Sequence, residues 1–331
     1  MRRIPELDFL KGVLILLVVS FHLVWFEQLH PVAKQVVYSF HMPGFLFISG
    51  FLMNINKPPR LFLRTLLWLA VPYLAMEGGY VVMAAILPIR EHIERLTLSV
   101  FLDRLLLHPL GPYWYLHALI LCGAVYYYIY NNVRQGMATR FLLIGIAYFV
   151  FAHGFGILSF SSAMYFLAGA VLRQSGTDFV GFFRPSWLSV AAFALIIGFA
   201  ESPNQASLSG ILIAFTAISS LLWVYKAPSP LPLWGSASVE EATAMKHSPK
   251  GGAGRRLLLF LGRNSLPIYI FSPIFTVLCK GFVPFLRFDG TGLLFLLVSL
   301  AVCVGGSLLL AWLTDRTGLS RYLFGRRALS M

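Results

Sequence analysis

The sequence predicts an all-α polytopic membrane bundle of about ten transmembrane helices, with both termini cytoplasmic. Three observations predict it. Hydrophobic residues make up 58% of the 331 and charged residues only 12%, against roughly 25% charged in an ordinary soluble domain. The apolar residues are gathered into successive runs of near-membrane length, and only helices or closed barrels satisfy their backbone in lipid. The positive charges between those runs alternate in density from one loop to the next.

Taken in order, the runs fall near 8–27, 36–53, 64–87, 113–130, 140–153, 156–173, 186–201, 207–225, 260–280 and 291–313, with the fifth and seventh the shortest. The opening Arg2-Arg3 and apolar stretch resemble a signal peptide, but Asp8 and Lys11 interrupt it and no small-residue cleavage site follows. It is expected to remain as the first span. Of the 26 Lys and Arg residues, nineteen fall in one alternate set of inter-span segments, the set that includes the start of the chain. Six fall in the other set, and Lys11 lies inside the first span. Such asymmetry marks the cytoplasmic side. The net charge of +13 therefore reflects topology and contact with anionic lipid, and no nucleic-acid partner is expected.

Two connecting segments differ from the rest. Residues 88–112, on the outer side, hold mixed charge and read equally well as a cover for an external site or as a short interfacial helix. Residues 227–257, on the inner side, are rich in Pro, Ser, Gly and Ala without hydrophobic period and read as a flexible cytoplasmic loop within a single 1–331 domain. Cys122, Cys279 and Cys303 all sit in apolar runs with no CxxC spacing, so neither a disulfide framework nor a metal site is expected. GxSxG, Walker and HExxH signatures are absent.

The chemistry is expected where polar side chains interrupt the spans. Lys11 and His22 are eleven residues apart, about three turns plus 20°, so they share a helix face about 16 Å apart along the axis. Asp8 precedes Lys11 by three and lies near that face. Ionisable residues at membrane depth are functional candidates by default. His41, in Phe40-His41-Met42-Pro43, enters the second span from the outside, at about the depth of His22. Arg60 and Arg64 share one face at the cytoplasmic end of the third span. They read either as topological charge or as a clamp for phosphate, to which guanidinium forks are suited. Trp114 and His117 open the fourth span in an aromatic cluster that alone reads as an interfacial anchor.

Together these segments resemble the membrane acyltransferase-3 family, close to its fucose 4-O-acetylase-like group. The matching pieces are Leu7-Asp8-x-x-Lys11-Gly12 with His22, and Phe40-His41-Met42-Pro43 with Phe47-Ile48-Ser49-Gly50-Phe51. After them come Arg60/Arg64 with Pro72-Tyr73, Trp114-Tyr115-Leu116, and Leu261-Gly262-Arg263-Asn264-Ser265-Leu266 with Ile268-Tyr269. The resemblance implies an O-acyltransferase, most simply an O-acetyltransferase, of the cell (inner or plasma) membrane. Cytoplasmic acetyl-CoA would be its acyl donor and co-substrate, without a metal. The acceptor would be a hydroxyl of an extracytoplasmic carbohydrate or lipid-linked glycan. It also implies that Lys11 and His22 belong to an essential motif and that Arg60 and Arg64 take part. On this reading His22, Lys11 and Asp8 are catalytic, Lys11, Arg60 and Arg64 bind the donor, and His41, Trp114 and His117 bind the acceptor. One departure stands out: relatives often carry a histidine shortly after the Ile-Tyr element, where this chain has Ile270-Phe271-Ser272-Pro273. The alternative reading is a multi-spanning transporter or flippase for a glycan or small polar solute. The lack of an internal repeat weighs against it.

Overall fold

A computed structural model describes residues 3–86, 91–200, 203–227 and 252–330. Among them there is no strand. The elements are α1 (Pro5–Phe21), α2 (Val24–Leu29), α3 (Pro31–Leu52), α4 (Pro59–Ile86), α5 (Leu98–Leu106), α6 (Trp114–Asn132), α7 (Met137–Phe149), α8 (Phe160–Gln174), α9 (Phe179–Phe183), α10 (Trp187–Phe199), α11 (Leu208–Lys226), α12 (Ala253–Arg263), α13 (Ser265–Leu278), α14 (Val283–Leu286), α15 (Leu293–Arg316) and α16 (Ser320–Leu323).

Every one of the ten predicted apolar runs coincides with a helix. Six helical stretches among the described residues are long and apolar enough to cross a membrane alone: Pro31–Leu52, Pro59–Ile86, Met137–Gly154, Leu208–Lys226, Ser265–Leu286 and Leu293–Arg316. A seventh forms if α5 and Gly111–Asn132, bent by 40°, act as one span. The other predicted spans are shorter than the runs suggested. α1 has 17 residues and α8 has 15, while α10 is a short apolar helix of 13. The first predicted run is cut in two because α1 ends at His22 and the chain restarts as α2. Most of the predicted flexible loop, 228–251, lies outside the described residues.

The outer faces are apolar, as a lipid-facing shell requires. Leu195, Phe199, Leu297 and Leu309 are all more than half exposed, while Asp8, His41, Glu77 and Asn264 are buried. This reverses the arrangement of a water-soluble bundle.

α1 and α3 form the centre. α1 packs on α12, α13 and α3, and α3 packs on α8 and α11. Two of these contacts bring backbones together through glycine. A Cβ on Gly262 of α12 would strike the carbonyl of Asp8, and one on Gly12 would strike the carbonyl of Leu258. Gly50 and Gly169 meet the Phe166 and Phe47 carbonyls in the same way between α3 and α8. Small residues serve this purpose in membranes, where association depends on close backbone packing. The α1–α12 contact sets Arg263 beside Asp8 at one end of the bundle and leaves His22 at the other.

Candidate active site

His22 sits where α1 stops. Its backbone is the helix C-cap, at φ −95° and ψ −3°, and Leu23 then turns to an extended conformation. The carbonyl of Phe21, freed by this ending, accepts a hydrogen bond from the Tyr38 hydroxyl of α3 at 3.0 Å. The His22 Nδ1 lies 2.6 Å from the Val18 carbonyl. A carbonyl can only accept, so Nδ1 carries the proton and the neutral ring keeps its lone pair on Nε2.

His41 repeats this arrangement one helix away. Its Nδ1 donates to the Val37 carbonyl at 2.7 Å, and its ring lies 5.1 Å from that of Tyr38. Pro43, four residues after Ser39, has no N–H to give the Ser39 carbonyl. The helix is thereby loosened beside Ser39 and His41, which face a cavity.

That cavity has a volume of about 820 Å³. His22, His41, Tyr38, Ser39, Trp114, Tyr269, Lys34, Asn204 and Gln205 are among its walls. A second cavity of about 240 Å³ meets it, sharing Val18, His22, Tyr38, Pro112 and Tyr269, and adding Glu27, Glu91, Ser272 and Lys280. His22 stands at the junction. Ser272, in the Ile270–Pro273 stretch, is a buried part of the second wall. Such a mixture of aromatic rings with a few convergent polar groups suits a hydroxylated ligand.

The floor shared by the two cavities is held from several sides. Leu110 N–H donates to Glu77 Oε1 and Gly111 N–H to Glu91 Oε2, each at 2.6 Å. The Tyr269 hydroxyl donates to the Pro112 carbonyl, and the Tyr113 hydroxyl donates to that of Ile270 at 3.0 Å. Glu77 is fully buried and its second oxygen has no partner. Lys34 and Glu27 form an ion pair at the rim.

At the opposite end of α1, Asp8 is the centre of a cation cluster. Its carboxylate takes Lys11 Nζ at 2.9 Å, Arg3 Nε at 2.7 Å and, more loosely, Arg263 Nε at 3.9 Å. Between the two ends, Leu14 and Ile15 of α1 are almost fully buried in the apolar core.

The predicted residues therefore separate into two groups. His22, His41 and Trp114 share the large cavity, and Asp8 and Lys11 are paired at the far end. Arg60 and Arg64 are exposed on the first turns of α4 and line neither cavity. His117 lies outside the walls of both cavities. Its Nε2 donates to the Leu106 carbonyl at 2.9 Å and its ring packs 5.8 Å from Tyr73, so it fastens α5 to α6. Outside the predicted set are Tyr38, Lys34, Glu27, Glu77, Glu91 and Arg263. Tyr269 was visible only as part of a motif, with no role attached.

The family model of the acyltransferase domain, acyltransferase-3, matches residues 4–312, nearly the whole chain. The chain belongs to the acyltransferase-3 family. The match begins before Asp8 and ends within α15, so both ends of α1 and all the cavity walls lie inside it. Comparison with curated proteins and with solved structures finds no match. Membership in the acyltransferase-3 family makes this a multi-pass membrane acyltransferase, with an acyl donor as co-substrate.

Proposed function

We propose that the protein is an O-acyltransferase of the fucose 4-O-acetylase-like kind in the cell membrane. It moves an acyl group, most simply acetyl, from cytoplasmic acyl-CoA to a hydroxyl of an extracytoplasmic carbohydrate or lipid-linked glycan. The observation that carries this reading is the placement of His22: its Nδ1 lies 2.6 Å from the Val18 carbonyl and its ring lines the large cavity, so that in the neutral ring Nε2 carries the lone pair. The proposed topology is ten spans with both termini cytoplasmic. It puts that cavity on the outer side and the Asp8–Lys11 cluster on the inner side.

In the proposed reaction Nε2 of neutral His22 takes the acceptor hydroxyl proton as its oxygen attacks the thioester carbonyl. The carbon–sulfur bond then breaks, and the imidazolium returns the proton to the departing thiolate. In the variant in which Nε2 first takes the acyl group, the carbon–sulfur bond breaks to give thiolate and acyl-imidazolium; the acceptor hydroxyl then attacks, its proton passes to the thiolate, and neutral imidazole is released. His41, Trp114 and Tyr269 hold the acceptor sugar, the aromatic rings giving it flat apolar faces. Lys11, with Arg60 and Arg64 on the same side of the membrane, attracts the anionic donor, and Asp8 orients Lys11.

Leu14 and Ile15 are buried between the donor end and the acceptor end, so on this reading the thioester reaches His22 only when neighbouring helices part. Family membership favours this chemistry over the transport reading. The deciding experiment supplies purified protein in nanodiscs with labelled acetyl-CoA and a glycan acceptor. Labelled ester on the glycan with release of free thiol is expected. Movement of glycan without thioester consumption would reject the proposal in favour of transport.

A further inference from the structure

Residues 324–330 lie beyond the part of the chain that the family model matches, yet they are laced to the same end of the bundle as Asp8. Phe324 is buried and packs edge-on against Phe271 of α13, with ring centroids 6.3 Å apart. Gly325 turns the chain at φ +65°, against the indole of Trp68 in α4, where a Cβ would collide. Asn264, fully buried between α12 and α13, pairs with Ser330 in both directions. Its Oδ1 accepts from Ser330 N–H at 2.8 Å, and its Nδ2 donates to the Ser330 carbonyl at 3.3 Å. Asp315 of α15 takes the amides of Ala328 and Leu329 at 2.7 and 3.0 Å.

What this lacing presents is positive charge. Arg326 and Arg327 join Arg263 around a pocket of about 230 Å³, completed by Leu266, Pro267 and residues 328–330, with no carboxylate among the described residues that line it. The nearby acids are already engaged. Asp8 holds Arg3 and Lys11 more closely than Arg263, and Asp315, within electrostatic reach of Arg327, is hydrogen-bonded to backbone amides. Three arginines lining one pocket concentrate positive charge there, and their planar guanidinium forks match the oxygens of a phosphate.

We infer that this pocket is a phosphate-ester site, with Arg263, Arg326 and Arg327 as its ligands, and that the phosphate end of the acyl-CoA donor occupies it. The inference rests on the acyl-CoA reading above. It places the anchor at the foot of the helix that bears His22: Arg263 adjoins Asp8, and Asp8 is about 21 Å from His22 along α1 at the usual helical rise. An anionic lipid headgroup at the inner surface offers the same chemistry.

The test titrates the full chain, in phosphatidylcholine nanodiscs, with CoA and with pantetheine, which lacks the phosphates, by calorimetry. Replacing two charge-assisted contacts in Arg326→Ala/Arg327→Ala weakens CoA binding by about 10- to 100-fold and leaves pantetheine unchanged. Asn264→Ala, which keeps all three arginines but unlaces the segment, gives a smaller loss in the same direction. Arg326→Lys/Arg327→Lys recovers part of the affinity. Repetition in phosphatidylglycerol nanodiscs distinguishes the source of the phosphate. If a headgroup fills the site, wild type and double alanine variant bind CoA equally, and only wild type gains thermal stability from phosphatidylglycerol. Equal CoA binding combined with equal lipid response would overturn the site. Arginine-dependent CoA binding without acyl product would keep the site and reject the transfer reading. Acyl transfer with unchanged donor affinity and unchanged lipid response in the double variant would do the reverse.

Discussion

The imidazole of His22 donates its Nδ1–H to the carbonyl of Val18, one turn below it on the same helix, at 2.6 Å. This bond fixes the ring plane and puts a proton on Nδ1, at the end of α1 where the ring lines the cavity. Replacing His22 with Asn keeps an amide able to reach Val18 and removes the basic nitrogen. His22→Asn and His22→Ala are both expected to lower acyl transfer by about 10²- to 10⁴-fold, with the folded protein still recovered from membranes. Near-normal initial rates with labelled acetyl-CoA in either variant would remove His22 from the chemistry.

Glu77 tests how the cavity floor is held. Glu77→Gln retains an oxygen for Leu110 N–H and is expected to change stability by no more than about 1 kcal/mol. Glu77→Leu strands that amide in the interior, at a cost of about 1–3 kcal/mol, and raises the acceptor KM through the displaced Pro112. Thermal unfolding in detergent and acceptor titrations measure the two effects, and equal behaviour of the variants would show that the bond does not position the floor.

The α1–α12 contact has no room for a methyl group. Gly262→Ala forces the new carbon against the Asp8 carbonyl and is expected to cost about 3 kcal/mol or more, since backbone gives way less readily than a side chain. Gly305→Ala is the control: its added carbon meets nothing within 4 Å, and a helix interior gains up to about 1 kcal/mol from the exchange. Shifts of opposite sign in melting temperature are the expected result.

Arg60 and Arg64 lie exposed on the first turns of α4, where interactions of exposed charges are weak. Arg60→Glu is therefore expected to raise the donor KM by up to about fivefold, with acceptor KM and kcat unchanged. A larger rise in acceptor KM than in donor KM would move this residue to the other substrate.

Much of this architecture was legible before any coordinates, because lipid imposes a strict relation between apolar run and helix. All ten predicted runs are helical, and α1 carries His22 at its C-cap and Lys11, paired with Asp8, in its first half. Two kinds of information were not local. Helix length was overestimated where an apolar run continues through a break, as at His22, since hydropathy does not register a change of direction. Partners distant in sequence were invisible too: nothing near Asp8 announces Arg263, and nothing near Asn264 announces Ser330. The placement of His117 illustrates a further limit. An aromatic cluster marks membrane depth but does not say which face of the helix looks into the cavity, and His117 faces α5 while Trp114 faces the site.

The glycine contact between α1 and α12 also governs motion. With Gly12 and Gly262 each against the other helix's backbone, neither helix can slide or roll without losing contact along its inner half. The two behave as a single post. In the proposed reaction, a donor threading toward His22 would push aside the α3 or α13 wall while the post stays still. On that reading the imidazole keeps a constant height throughout turnover, and the gate is the wall that faces it.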